Sequence, residues 1–376
     1  MSTRTPRKAT VYDVAAEAGV SIATVSRALR TPDKVRPKTR DIINEAIHKL
    51  GYVPSGSAQG LAAQKTGSLG LFLPNVDELD TIEDFNPENQ DAATLQLDPP
   101  DERPQANSLY LDEVLRGCEL ESWRQGVSLM VNVSLGRADA DVTQIANDMA
   151  GKVDGLLVMA RSLPDHVVDF LSKRMPLVMI ADAPTSIPVD LDLVRVSNRK
   201  GMSALVSHLI ESHGVKRLAY LAGPNDSPDN HKRYEGFCEA LQSHGMTYEA
   251  APIYRGQFSQ SIAYSITKDL IARSTLPEAL VCANDQMALG ALEALDEANI
   301  DIPGQIIVTG FDGIDETNMS APRLTTVRQP MRNLGRAAVQ LLMQRINNPS
   351  EGSQSLELPV TVLLRESCEG HLDPIG

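Results

Sequence analysis

Cysteine is scarce and scattered. Cys118, Cys238, Cys282 and Cys368 are the only four, and no two form a C-x-x-C pair. That pattern excludes a disulfide-stapled scaffold and a zinc finger, and it fits a reducing cytoplasm. No stretch approaches the ~20 consecutive apolar residues that span a bilayer, so no membrane partner is expected. The basic start, Met-Ser-Thr-Arg-Thr-Pro-Arg-Lys, leads into no hydrophobic run, and no secretory signal is expected. There is neither a G-x-G-x-x-G nor a Walker loop to cradle phosphates, so no cofactor is expected. His208 and His213 lack the H-E-x-x-H spacing, which points away from a metal site. No Ser or Cys occupies a nucleophile elbow, so no catalytic residue is assigned and an enzyme is not expected.

What is present is an ordinary globular mix of 376 residues, 42% apolar and 22% charged, long enough for two or three folded units. The net charge of −14 argues by itself against nucleic acid, but its distribution reverses that reading. Residues 1–65 hold eleven Lys or Arg against five acids, a balance of +6, which leaves −20 for the other 311 residues. A small basic head on a large acidic body suggests a module that binds a polyanion. A merely solvated basic tail is the rival reading of the charge.

The head shows helical periodicity. Thr10 is placed to cap a helix whose inner positions are Val11, Val14, Ala15 and Ala18, and Gly19 ends it. Ser21 caps a second helix carrying Val25, Ala28 and Leu29, and Pro37 opens a third that Gly51 stops. Two short helices joined by a glycine turn make a helix-turn-helix. In the second helix Ile22 and Ala23 suit thymine methyls, and the Arg27 fork suits guanine O6 and N7. Ser21, Thr24 and Ser26 are short groups suited to phosphates. Ile22 as a core residue is the alternative.

From about residue 67, β-rich runs alternate with helical stretches. Strands are expected at 69–73, 129–133, 155–159, 177–180, 218–221, 280–283 and 306–309, with helices at 198–213, 234–244, 259–273 and 286–299. Such alternation predicts doubly wound parallel sheets, here two stacked α/β subdomains. Ligands in such folds bind at carboxyl ends of strands, where Asn284 and Asp312 fall; Arg233 opens a helix after another strand. Asp285 is expected to be a helix N-cap.

Thr10–Leu29 closely resembles the DNA-reading head of the lactose-repressor (LacI/GalR-type) family, as do Thr39-Arg40 and Leu50-Gly51-Tyr52-Val53-Pro54. Arg233-Tyr234-Glu235-Gly236-Phe237, Ala283–Gly290, Val308–Asp312 and Leu324–Val327 match further motifs in the family's order. The resemblance implies a head at 1–52, a hinge at 53–66 and a type I periplasmic-binding-protein-like core. In that core, 67–195 and 328–346 form the N-terminal subdomain, and 196–327 and 347–370 the C-terminal one. It implies that Thr10, the recognition helix, and Ala58 and Leu61 in the hinge contact double-stranded operator DNA, with Leu61 as a minor-groove wedge. It also implies that Arg233 and Asp312 hydrogen-bond an effector, that Asn284 adds a polar contact and that Phe258 stacks on it. An Arg fork, a carboxylate and an aromatic face suit a sugar, although relatives bind nucleobases with similar groups.

The sequence departs from the resemblance in two places. The hinge carries Ser55 and Gln59 where the family often has Asn and Arg, and Gly56, Ser57 and Gly60 are poor helix formers, so it is expected to fold only on DNA. Residues 76–104 hold ten acids, one base and four prolines, the signature of a disordered insert. No tetramerisation tail follows Glu369, which favours a homodimer on a near-palindromic operator. The expected function is a cytoplasmic, effector-controlled transcription factor, usually a repressor. A solute-binding protein without DNA function is the alternative.

Overall fold

The computed structural model describes residues 9–53, 65–74, 109–133, 139–182, 191–247 and 251–369. The expectations for Ala58, Leu61, most of the hinge and the acidic insert lie outside them. The chain divides into two units, Met1–Thr66 and Gly67–Gly376.

The first unit is three helices, α1 (Val11–Ala18), α2 (Ile22–Arg30) and α3 (Pro37–Leu50). Thr10 and Asp13 form a reciprocal capping box on α1, and Gly19 ends it at φ 63°, a left-handed conformation that favours glycine. Ser21 caps α2, its side chain accepting from the Thr24 amide. Val14, Ala15, Val25, Ala28, Ile43 and Ala46 close a small core.

The second unit contains two six-stranded sheets. β1 (Ser68–Leu73), α4 (Leu109–Gln125), β2 (Ser128–Val133), α5 (Asp139–Ala150), β3 (Gly155–Met159), α6 (Asp165–Ser172), β4 (Leu177–Ile180) and β5 (Asp192–Val196) build most of the first. The second comprises α7 (Asn198–His213), β6 (Leu218–Ala222), α8 (Pro228–Ser243), β7 (Ile253–Arg255), α9 (Gln260–Ala272), β8 (Ala279–Cys282), α10 (Asp285–Glu297), β9 (Ile307–Asp312), α11 (Glu316–Met319) and β10 (Thr325–Arg328). The chain then returns through α12 (Met331–Asn347) and β11 (Ser355–Leu358) to the first sheet, and ends with β12 (Thr361–Leu363) and α13 (Glu366–Glu369) on the second.

The strand orders are β11-β5-β4-β3-β1-β2 and β12-β10-β9-β8-β6-β7. Every pairing is parallel except β10 with β12. The central strands β3, β4, β6, β8 and β9 are buried along their whole length, as parallel strands covered on both faces must be. Across the first sheet, α4 and α12 cross back to back: a Cβ on Gly335 would strike the Val114 carbonyl, and one on Gly117 the Arg332 carbonyl.

The strands expected from sequence are present, with ends shifted by at most a residue except in β9, which ends at Asp312, three residues past the expected end. Five others, β5, β7, β10, β11 and β12, went unrecognised because they are short and several lie at sheet edges, where burial leaves no clear period. The subdomain boundaries need correction. Arg328 ends β10, so the second crossing falls after it. Residues 355–358 pair in parallel with β5, Ser355 opposite Leu193, so the last crossing lies between Leu358 and Thr361 and not at 346/347.

Candidate functional site: an inter-sheet cleft and a helix-turn-helix head

The carboxyl ends of the two parallel sheets supply one polar cluster. Arg233, in the second turn of α8, is its centre and is only 3% exposed. Its Nε donates to Asn198 Oδ1 at 2.9 Å and its Nη1 to the Ala283 carbonyl at 2.6 Å. The same Nη1 lies 3.2 Å from Asp312 Oδ1, and the guanidinium covers the Phe311 ring at 3.9 Å. Gln329 Nε2 donates to Asp312 Oδ1 at 2.6 Å, while Gln329 Oε1 is buried with no hydrogen-bond partner among the described residues.

The first sheet contributes Asp182, just past β4. Its carboxylate accepts from Arg195 at 3.2 Å and from Asn198 Nδ2 at 3.4 Å, and its amide donates to Asp229 Oδ1 at 3.2 Å. Asn198 Nδ2 also reaches Asp229 Oδ1, at 2.9 Å. Arg161, after β3, bridges to Asp226 of the other sheet at 2.9 Å. The two halves of the cleft are therefore linked by hydrogen bonds at Asp182–Asp229 and at Arg161–Asp226.

Electrostatics follow from crowding several acids in a dry place. Burial, followed by the Asp229 charge, lifts the Asp182 carboxyl to about 6 against the opposing pull of Arg195 and Asn198. Burial also raises Asp312; Arg233 opposes this and the Asp285 charge adds to it. Tyr110 on α4 is raised well above the ordinary phenol range by burial and then by Asp229 and Asp312, so its hydroxyl stays protonated beside them. Backbone strain concentrates here too. Arg161, Ala181, Phe258 and Asp312 all have positive φ, at 68°, 90°, 61° and 129°.

The head presents a different chemistry. Val25 and Ala28 of α2 are buried, which turns Ile22, Ala23 and Arg27 outward; Ile22 is 40% exposed. The Ser21 hydroxyl lies 2.8 Å from that of Thr24, and the Thr10 hydroxyl donates to Asp13 at 2.7 Å.

Comparison with known proteins gives both parts a lineage. Residues 10–55 match the profile of bacterial regulatory proteins of the lacI family, and residues 206–368 that of a periplasmic binding protein-like domain. The chain is 30% identical over 373 residues to the HTH-type transcriptional repressor PurR of Haemophilus influenzae (strain PittEE), spanning 97% of this chain and all of the relative. The chain belongs to the lacI family of bacterial regulatory proteins. It is a DNA-binding transcriptional regulator whose core binds an effector. Among solved structures it resembles the lac repressor dimer bound to operator and the anti-inducer ONPF, with a TM-score of 0.79 and 23% identity over 96% of this chain and 99% of that one. It also resembles a transcriptional regulator CelR–cellobiose complex, with a TM-score of 0.65 and 26% identity over 96% and 99%.

In this lacI-family regulator, Arg233, Phe258, Asn284 and Asp312 all lie at the cleft end of the second sheet, but they are not equally available. Asn284, not Asp285, caps α10, its Oδ1 accepting from the Met287 amide at 3.0 Å; its Nδ2 sits 3.5 Å from the Phe258 carbonyl. Asp285 reaches across instead, accepting from the Gly313 and Ile314 amides at 2.6 and 3.0 Å and from Thr326 at 2.6 Å. It locks the turn that presents Asp312. Phe258 is half-buried and lies so close to Gly223 that a Cβ there would enter its ring. Sequence reading missed Tyr110, Asp182, Asn198, Asp229 and Gln329. Asp182, Asn198 and Gln329 each follow a strand end, at β4, β5 and β10, but only β4 is among the strands expected from sequence; Tyr110 and Asp229 sit on helices. No helix among the described residues is long and apolar enough to cross a membrane.

Proposed function

We propose that this regulator is a homodimeric repressor acting in the cytoplasm, and that its effector is a sugar bound between the two sheets. The observation that carries the sugar reading is the Arg233–Asp312–Gln329 group. One buried guanidinium, one buried carboxylate and one unpartnered carbonyl oxygen converge, and Phe258, the candidate stacking ring, lies at the same end of the second sheet beside Asn284. Vicinal hydroxyls donate to carboxylate and amide oxygens and accept from Arg, while an aromatic face covers the C–H side of the ring. The resemblance to a cellobiose-bound regulator supports the same class.

The Asp182–Asp229 and Arg161–Asp226 links make the mouth of the cleft a place where ligand can change how the sheets meet. A ligand shifts that arrangement only by its differential affinity for the two states, typically ~1–3 kcal/mol of coupling. A near-palindromic operator follows from two symmetric heads, each laying Ile22, Ala23 and Arg27 against base edges, with Ser21, Thr24, Ser26 and Thr10 near the backbone. Ala58 and Leu61 would meet the minor groove.

Calorimetry against a panel of mono- and disaccharides and of nucleobases tests the ligand class. Saturable heat with a sugar, lost in Asp312→Asn, is expected; heat with a nucleobase alone overturns the sugar assignment. A gel shift on the DNA upstream of its own gene, repeated across salt concentrations, tests the repressor reading. Specific binding with a steep salt slope is expected, and binding indifferent to sequence contradicts it.

A further inference from the structure

Four side chains far from the cleft converge at the opposite end of α7. His208 and His213 lie in its last turns; Cys368 and Glu369 lie in α13. Their ligand atoms all fall within 4.8 Å of one another. His213 Nε2 stands 3.3 Å from His208 Nε2, 3.2 Å from Cys368 Sγ and 3.5 Å from Glu369 Oε1. His208 Nε2 is 2.8 Å and Cys368 Sγ 3.9 Å from Glu369 Oε1.

Hydrogen bonding accounts poorly for this arrangement. A ring nitrogen offers one N–H or one lone pair, yet His213 Nε2 faces three groups. A single cation at the centre would satisfy all four. With Zn–N and Zn–O bonds of about 2.0–2.2 Å and a Zn–S bond of about 2.3 Å, a tetrahedron has ligand-to-ligand edges of roughly 3.3–3.7 Å, close to the separations found. We propose that His208, His213, Cys368 and Glu369 form a structural zinc site that clamps α13 to the end of α7.

The surroundings suit that role. Two imidazoles, a thiolate and a carboxylate are a donor set zinc accepts, and four protein ligands leave no open position for catalysis. Cys368 is buried, and the other three side chains are 15–22% exposed, which leaves an entry path. His208 Nδ1 lies 3.2 Å from Ser212 Oγ, which can accept from Nδ1–H in the tautomer whose Nε2 ligates. Ser367 Oγ donates to the Val308 carbonyl at 2.6 Å and accepts from the Thr325 amide at 2.9 Å, so α13 is already pinned to the second sheet. Burial and the Glu369 charge push the Cys368 thiol up to about 12. Zinc must therefore displace a proton: the S–H bond breaks, the proton passes to solvent, and the thiolate sulfur bonds to the metal. The site lies at one end of a 16-residue helix whose other end, Asn198, holds Arg233 in the cleft, about 24 Å away.

The test uses the reduced, metal-stripped full-length chain, titrated with Zn²⁺ and with Co²⁺ as a spectroscopic stand-in. One equivalent should bind and release a proton, and Co²⁺ should show a thiolate charge-transfer band with intense tetrahedral d–d absorption. Cys368→Ser should abolish that band. Glu369→Gln and His213→Gln should weaken zinc by more than about a hundredfold, beyond what loss of an outer partner costs. Circular dichroism of each metal-free variant separates lost ligands from lost fold. Absence of the charge-transfer band in the parent, or unchanged zinc affinity in folded Cys368→Ser and His213→Gln, would reduce the cluster to hydrogen bonding and overturn the proposal.

Discussion

Arg233 Nη1 lies 3.2 Å from Asp312 Oδ1 while it donates to the Ala283 carbonyl at 2.6 Å, and both side chains are almost wholly buried. Each side chain of the pair compensates the other's charge and fixes its orientation. Removing one partner leaves the other buried and unpaired, which typically costs 3–5 kcal/mol. Arg233→Met is expected to lower the free energy of unfolding by about that amount. Asp312→Asn keeps the shape and leaves Arg233 its Asn198 and Ala283 acceptors, so it should cost less stability than Arg233→Met, yet cut effector affinity at least about tenfold while operator binding persists. Chemical denaturation and calorimetry on both variants check the contrast.

Stability should depend on pH through Asp182. Its carboxyl is lifted to about 6 by burial and by Asp229. A raised acid holds its proton more tightly in the folded state, so stability falls as pH climbs from about 4 through about 6, and the penalty is complete above that. The shift corresponds to an order of 1–3 kcal/mol. Asp182→Asn removes the charge and should melt above the parent near pH 7.5, with the gap shrinking towards pH 4. Thermal melts across that range decide the matter; a gap that is the same at both ends refutes the assignment.

Gly223→Ala places a methyl where the Phe258 ring sits. The ring must swing away, at a cost of about 1–3 kcal/mol for overpacking. Because Phe258 lies beside Asn284, the same change should weaken the effector more than it lowers the melting point. Paired calorimetry and melting data on Gly223→Ala and Phe258→Leu would show whether the loss follows ring placement.

Arg27 projects from the outward face of α2, whose inner face holds Val25 and Ala28. Arg27→Ala should relax base choice at one operator position by about 1–3 kcal/mol and leave other positions unchanged. Competition gel shifts against single-base operator variants measure it. Full discrimination by the variant would move the readout to another residue.

Head and cleft differ in how much of them could be anticipated. The capping signals at Thr10 and Ser21 and the glycine stop at 19 are local, so the three helices could be placed from sequence. Asp312 could be located because it ends a strand, and Arg233 because it lies in a recognisable motif, although its helix starts at Pro228, five residues earlier than the reading that Arg233 opens it. The sequence reading assigns the cap of α10 to Asp285 where Asn284 makes it, since neighbouring residues compete for one cap and only the turn after β9 decides which side chain reaches across.

The three head helices, the alternation of the central strands with helices and the basic head on an acidic body were written in local periodicity and charge, and the lacI-family character in short motifs, because caps, breakers and apolar spacing act over a few residues. The pairing of Asp182 with Asp229, the entry of Tyr110 and Gln329 into the cleft, the return of Ser355–Leu358 to the first sheet and the meeting of His208 and His213 with Cys368 and Glu369 were not. Those contacts join residues tens to more than a hundred positions apart. No short-range pattern encodes them; they exist only once two sheets have packed and the chain has crossed between them for the last time.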